Sequence, residues 1–166
     1  GESSDSTLSV MTHDSFAVSE EVIADFELAN KVEVQIVQSG DAGSTLNKAI
    51  LSRDKPLADV LYGVDNANLS RALQEDIFEP YNAPGLADIP EEFKLDPENR
   101  VLPVNYGDVC LNYEIAYFEN QQIAPPANLE DLLKPEYRSL TVVQNPAVSS
   151  PGLAFLLATV GHFGVD

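Results

Sequence analysis

The chain has 166 residues, 44% of them apolar, which supports the core of one ordinary globular domain and excludes a disordered or fibrous chain. Nine basic residues against 27 acidic ones give a formal charge of −18, which repels nucleic acid and anionic membrane surfaces unless a basic patch intervenes, and none does. The same acidity serves equally to keep an exported protein soluble.

The opening GESSDSTLS is polar and Ser-rich, lacks the basic and apolar regions of a signal peptide, and reads as a flexible tether over residues 1–7. Any signal or lipid-anchoring segment is expected to have been removed. No run approaches the ~18 apolar residues of a membrane span. After the tether, TLSVMTHD alternates apolar and polar residues as a strand does. SEEVIADFELAN follows as a helix, with Ser19 as N-cap and Glu20 and Glu21 in the first turn, where the helix dipole favours them. The pattern repeats with VEVQIVQ as strand, SGDAG as turn, STLNKAIL as short helix and ADVLYGVD as strand. NANLSRALQEDIF is then a helix with Leu69, Leu73 and Ile77 on one stripe. Such alternation predicts an α/β fold with a parallel sheet and helical crossovers.

Residues 78–100 turn rich in Pro, Gly and acids and predict an irregular surface excursion. The regular pattern resumes with VLPVNYGDVCLNYE as a long extended segment, NLEDLLKPEYR as a helix capped by Asn128, and LTVV as a buried strand. SSPGLAFLLATVGHF closes the chain as a helix apolar nearly all round, which needs cover on every side. Cys110 is the single cysteine, so no disulfide framework is available, and its apolar surroundings place it in a core.

In open parallel sheets ligands bind beyond the carboxyl ends of the strands, where loops lead into helices. Five loops qualify: THDSFAVS, QSGDAGST, GVDNAN, NYGD and QNPAVSSPG. The first four each hold one aspartate, Asp14, Asp41, Asp65 and Asp108, and none of the five contains Lys or Arg. If they face one cleft, its potential is negative, which suits a cation and disfavours sulfate or inorganic phosphate held by basic side chains. Each Asp, Asn or Ser before a helix is also an ordinary cap. SSPG has two compatible uses: Ser149 or Ser150 as N-cap with Pro151 at the first helical position, or free amides and hydroxyls gripping an anion. His13, Asp14 and Ser15 are consecutive, so their side chains diverge and form no triad; no nucleophile elbow, phosphate-binding loop or zinc-protease motif occurs. His162 reads as an ordinary helix residue. Nothing calls for a catalytic group, a cofactor or a metal.

The segments SVMTHDSF, ADVLYGVDNANL, VLPVNYGDVCLNYE and QNPAVSSPGLAFLL resemble, in order and spacing, those of thiamine-binding periplasmic proteins, over about residues 8–161. The resemblance implies a type II periplasmic-binding-protein fold, in which two α/β lobes joined by crossover strands close on the ligand. By that resemblance lobe one spans 8–105, while 106–166 hold the first crossover and a partial lobe two of a protein roughly twice this length. It implies a cleft lined by His13, Asp14, Ser15, Gly63, Asp65, Asn66, Tyr106, Ser149, Ser150 and Gly152. The position of His13 is commonly aromatic in thiamine binders, and the tryptophan that follows their DSF turn is absent here. The implied protein is an extracytoplasmic, monomeric, non-enzymatic component of an ABC importer. It would capture thiamine or a thiamine phosphate and present it to a membrane permease, with no nucleic acid partner. Ferric-ion and polyamine binders share the fold, and the acidic loops suit a diamine equally.

Overall fold

The computed structural model describes residues 6–165. Residues 1–5 of the expected tether lie outside them, and Ser6 and Thr7 belong to the first strand, β1 (Ser6–Thr12). β1 runs into α1 (Glu20–Asn30), β2 (Val32–Gln38), α2 (Ala42–Leu51), β3 (Val60–Leu61) and α3 (Asn66–Gln74). The three strands form one parallel sheet in the order β2-β1-β3, with Ser6 opposite Val32, Val10 opposite Val60 and Met11 opposite Leu61. The connection from β1 runs to one side and that from β2 crosses back to the other. Right-handed crossovers then set α1 and α2 on opposite faces. The core of this part joins Met11 of β1, Leu46 of α2 and Ala72 of α3, each almost wholly buried.

Local chemistry accounts for the helix starts. Ser19 Oγ accepts from the Val22 amide, as its N-cap position predicts, and Asp65 Oδ1 accepts from the Asn68 amide at 2.9 Å to open α3. Asp41 stands at the N-cap of α2 without a side-chain cap bond. β1 and β3 are further tied by Asp59, whose Oδ2 accepts from both Ser9 Oγ at 2.6 Å and the Ser9 amide at 2.8 Å. The Ser9 side-chain and amide bonds hold the Asp59 carboxyl below its ordinary pKa, favouring the charged form.

The excursion expected at 78–100 is irregular, with 3₁₀ turns at Pro84–Asp88 and Glu91–Phe93. It is clasped by Asp96, only 2% exposed, which accepts from Arg100 Nη2 at 3.0 Å and Nε at 3.2 Å and from the Arg100 amide at 2.8 Å.

Beyond residue 100 several expectations are corrected. Residues 101–114 pair with no strand, and Cys110 is exposed rather than in a core. α4 (Ile115–Gln121) follows, a helix in a stretch for which the sequence predicted no element. NLEDLLKPEYR is not one helix but two 3₁₀ turns, Asp131–Leu133 and Pro135–Tyr137. Asn128 Oδ1 accepts from the Asp131 amide at 2.9 Å, but the N-cap position of the first turn is Glu130, and Pro135 has no amide proton to continue a helical ladder. LTVV forms no strand: a parallel strand exists through its neighbour, none lies beside it among the described residues, and Val142 is 95% exposed. α5 (Ser150–Phe163) forms as expected but leaves Leu156, Leu157, Val160 and Phe163 exposed.

Candidate ligand site at the carboxyl ends of the strands

The loops after the neighbouring strands β1 and β3 lead into α1 and α3 at the carboxyl edge of the sheet, where open α/β sheets take their ligands. The main chain sets their spacing. Met11 O accepts from the Tyr62 amide at 2.8 Å, and Thr12 O from the Ser39 amide at 2.9 Å, so all three strands end level.

Side chains then knit the loops together. Asp14 exchanges two bonds with Gly40, its amide donating to Gly40 O at 2.9 Å and its Oδ1 accepting from the Gly40 amide at 2.8 Å. Gln38 Nε2 adds a bond to Asp14 O at 3.3 Å. The His13 ring lies against Gly63, where an added β-carbon would stand 2.8 Å from His13 Cδ2, and 5.7 Å from the Tyr62 ring. Phe16 packs on the other part of Tyr62 at 4.8 Å. The Tyr62 hydroxyl accepts from Asn105 Nδ2 at 2.8 Å, bringing the NYGD segment to the same place. The Gly43 amide, in the first turn of α2, donates to Val148 O at 3.0 Å, and α5 packs against α3. All five loops named from the sequence are therefore linked to one another.

Ser149 is the N-cap of α5: its Oγ accepts from the Gly152 amide at 3.3 Å and donates to Gln144 Oε1 at 2.6 Å. Pro151 is the second helical residue rather than the first. Gly152 is obligatory, since a β-carbon there would come within 2.4 Å of Gln144 O. Two buried hydroxyl oxygens, Thr12 Oγ1 at the end of β1 and Ser150 Oγ at the start of α5, have no hydrogen-bond partner among the described residues. Ser15 and Asn66 are exposed at the loop surface. Tyr106 stands apart from the His13–Tyr62 cluster: it is 79% exposed and stacked on Phe93 at 5.1 Å. Its neighbour Asn105 makes the link instead. His162 pairs with Glu130 at 2.5 Å.

Phe16, Tyr62 and Asn105 complete the cluster without having been singled out in the sequence. An aromatic residue directly before the Gly-Val-Asp turn was the available signal for Tyr62. Two hollows are present among the described residues. One, of about 560 Å³, is lined by Met11, Arg53, Asp59, Leu61 and Phe78, and another, of about 650 Å³, by Val109, Tyr117, Tyr137, Val143 and Phe155. The second is also lined by Gln144, Pro151 and Gly152 of the QNPAVSSPG loop, whereas neither is lined by His13, Asp65 or Ser150. Among the described residues no group of three His, Cys, Asp or Glu side chains is arranged to hold a metal ion.

The sequence profile of bacterial extracellular solute-binding proteins matches residues 55–166. A thiamine-binding periplasmic protein of Brucella suis is 31% identical over 164 residues, covering 95% of this chain and 47% of that protein. Among solved structures, a periplasmic thiamin binding protein superposes with a TM-score of 0.71 at 25% identity over 100% of this chain and 52% of its own. A ferric binding protein from Campylobacter jejuni does so with a TM-score of 0.67 at 20% identity, covering 95% of this chain and 49% of its own, a likeness of fold. The chain spans about half the length of the relatives it matches. The type II binding-protein fold expected from the sequence is thus the observed one.

Proposed function

Because this chain belongs to the bacterial extracellular solute-binding proteins, we propose that it captures thiamine or a thiamine phosphate outside the cytoplasmic membrane for the permease of an ABC importer. Proteins of this kind are transport components rather than enzymes, and the Brucella suis relative and the solved thiamin binding protein are periplasmic. The observation that carries the ligand class is the linked set of five loops with four aspartates and no Lys or Arg. Such a face favours a cation over a free anion. Thiamine, among small cations, is supported by the 31% identical relative and by the 25% identical solved structure.

In this reading His13, Asp14, Ser15, Gly63, Asp65 and Asn66 line the lobe-one side. The unpaired Ser150 hydroxyl at the N-terminus of α5 receives a phosphate tail, in a turn held by Ser149 and Gly152. Asn105 and Tyr106 mark the passage from lobe one, residues 8–105, to lobe two. The aromatic pair His13–Tyr62 supplies a stacking face for a flat ring.

A thermal-shift screen of the whole protein against thiamine, thiamine monophosphate, thiamine diphosphate, ferric citrate and putrescine tests this. A ligand that binds only the folded state raises the Tm, by an amount that grows with its concentration over Kd. A rise with the thiamine compounds alone is expected. A rise with ferric citrate or putrescine and none with any thiamine compound overturns the assignment.

A further inference from the structure

We propose that Gly43 is a positioning residue, whose amide holds the QNPAVSSPG loop against the strand-end loops and whose lack of a side chain lets the two meet. The inference rests on the reading of those loops as one ligand site and deepens it by naming the contact that completes the site. Residues 101–114 pair with no strand, so what lies on either side of them is held together by the contacts that bridge the gap. α3 packs against α5 there. Among the described residues one hydrogen bond joins residues 6–100 to residues 115–163: the Gly43 amide donates to Val148 O at 3.0 Å.

Both partners are shaped for this bond. Val148 O stands on a turn with little freedom: the Val148 and Ser149 amides donate to Asn145 O at 3.2 and 2.9 Å, and the Ala147 amide donates to Asn145 Oδ1 at 3.0 Å. Gly43 is buried in the first turn of α2. An amide there has no acceptor within its own helix, and the Asp41 side chain at the N-cap makes no bond to the turn. The Gly43 amide therefore needs an acceptor from outside, which Val148 O supplies. Its own backbone is helical and does not call for glycine. Proximity does: a β-carbon would stand 2.9 Å from Val148 O and 3.2 Å from Val148 C and Cα, main-chain atoms that cannot swing aside as a side chain can. The bond sets Ser150, two residues beyond Val148, on the side of the sheet where Asp41 stands two residues before Gly43. The hydroxyl offered to a phosphate and the aspartates offered to a cation are thereby held in one place.

Calorimetric titration of thiamine and of thiamine monophosphate into the whole protein tests this, with Gly43→Ala and Gly43→Ser titrated in parallel and the Tm of each unliganded protein recorded. Both variants are expected to bind about tenfold more weakly, the worth of one ordinary hydrogen bond. Alanine favours a helix over glycine, which offsets the crowding at the contact. The unliganded Tm of Gly43→Ala should therefore hold within about two degrees while its affinity falls. Amide hydrogen exchange in the native protein gives a second reading. With no acceptor inside its helix, the Gly43 amide reports on Val148 alone and should exchange several-fold more slowly once ligand is bound. Three results overturn the inference while thiamine capture stands: affinity within about twofold of native in both variants, a Tm that falls in both in step with affinity, or a Gly43 exchange rate that ligand leaves unchanged. No binding of either compound by the native protein removes the proposed function, and the inference with it.

Discussion

Replacing Gly63 with alanine tests whether the turn after β3 and the imidazole of His13 are built as one unit. Gly63 has φ +118°, a conformation that strains an L side chain and costs about 1–3 kcal/mol. A second cost is steric. The new β-carbon would stand 2.8 Å from His13 Cδ2, against a carbon–carbon optimum of about 3.5–4.0 Å, so the ring must withdraw by about 0.7 Å or more. An overpacked contact that cannot relax costs about 1–3 kcal/mol. His13 is only half-buried and can swing, which sets the expected total near 2–3 kcal/mol. Swinging the ring also breaks its approach to Tyr62. Chemical denaturation of Gly63→Ala, His13→Ala and the double variant separates the two costs. Without the imidazole the overlap disappears while the backbone strain remains, so the glycine substitution should cost about 1 kcal/mol less in that background. Equal costs in both backgrounds refute the reasoning, and so does a cost below about 0.5 kcal/mol in the native one.

Asp65→Asn isolates charge from capping: asparagine caps as well as aspartate, so stability should hold within about 0.5 kcal/mol while thiamine binds several-fold more weakly by calorimetry. Unchanged affinity would make Asp65 a cap alone. The Arg100 side chain, hydrogen-bonding to Asp96 against the opposing effect of burial, lowers that carboxyl from 3.8 to about 2. The folded state therefore binds this proton less tightly than the unfolded one, and the clasp contributes about 2 kcal/mol above pH 5 that is lost as pH falls through 3.8 towards 2. The stability gap between the native protein and Asp96→Asn, measured by urea unfolding, should accordingly close below pH 4; a gap independent of pH refutes the assignment. Finally, a net charge of −18 repels itself across the surface, and 1 M salt shortens the screening length to about 3 Å. The Tm should rise by several degrees between 0.05 and 1 M NaCl, and a flat or falling Tm would show that the acids are locally compensated.

The first three strands and three helices were legible because each carries its own local instruction: alternation in VEVQIVQ, a serine before SEEV, an aspartate before NANL. What failed depends on partners far along the chain. LTVV has the composition of a buried strand and none of the neighbours that make one, so Val142 and Val143 stand exposed. ADVLYGVD promised a full strand, but only Val60 and Leu61 pair, with the last strand-like residue, Tyr62, diverted to His13, Phe16 and Asn105. Cys110 was assigned to a core on the apolarity of its neighbours, and that stretch meets no second element to bury it. The site was legible as a set of loops. Its wiring was not, because the Asp14–Gly40 exchange, the Gly63–His13 contact and the Gly43–Val148 bond join positions 26, 50 and 105 residues apart.

The aspartates illustrate why capping and ligand binding are not rival readings. Asp65 accepts from the Asn68 amide and side chain and Asp14 from the Gly40 amide, yet a carboxylate that accepts hydrogen bonds keeps its full negative charge. The bond fixes where the charge stands and removes the entropy a ligand would otherwise have to remove. Capping thus pre-organises the negative face. Selectivity at such a site rests less on the number of aspartates than on where each one is held.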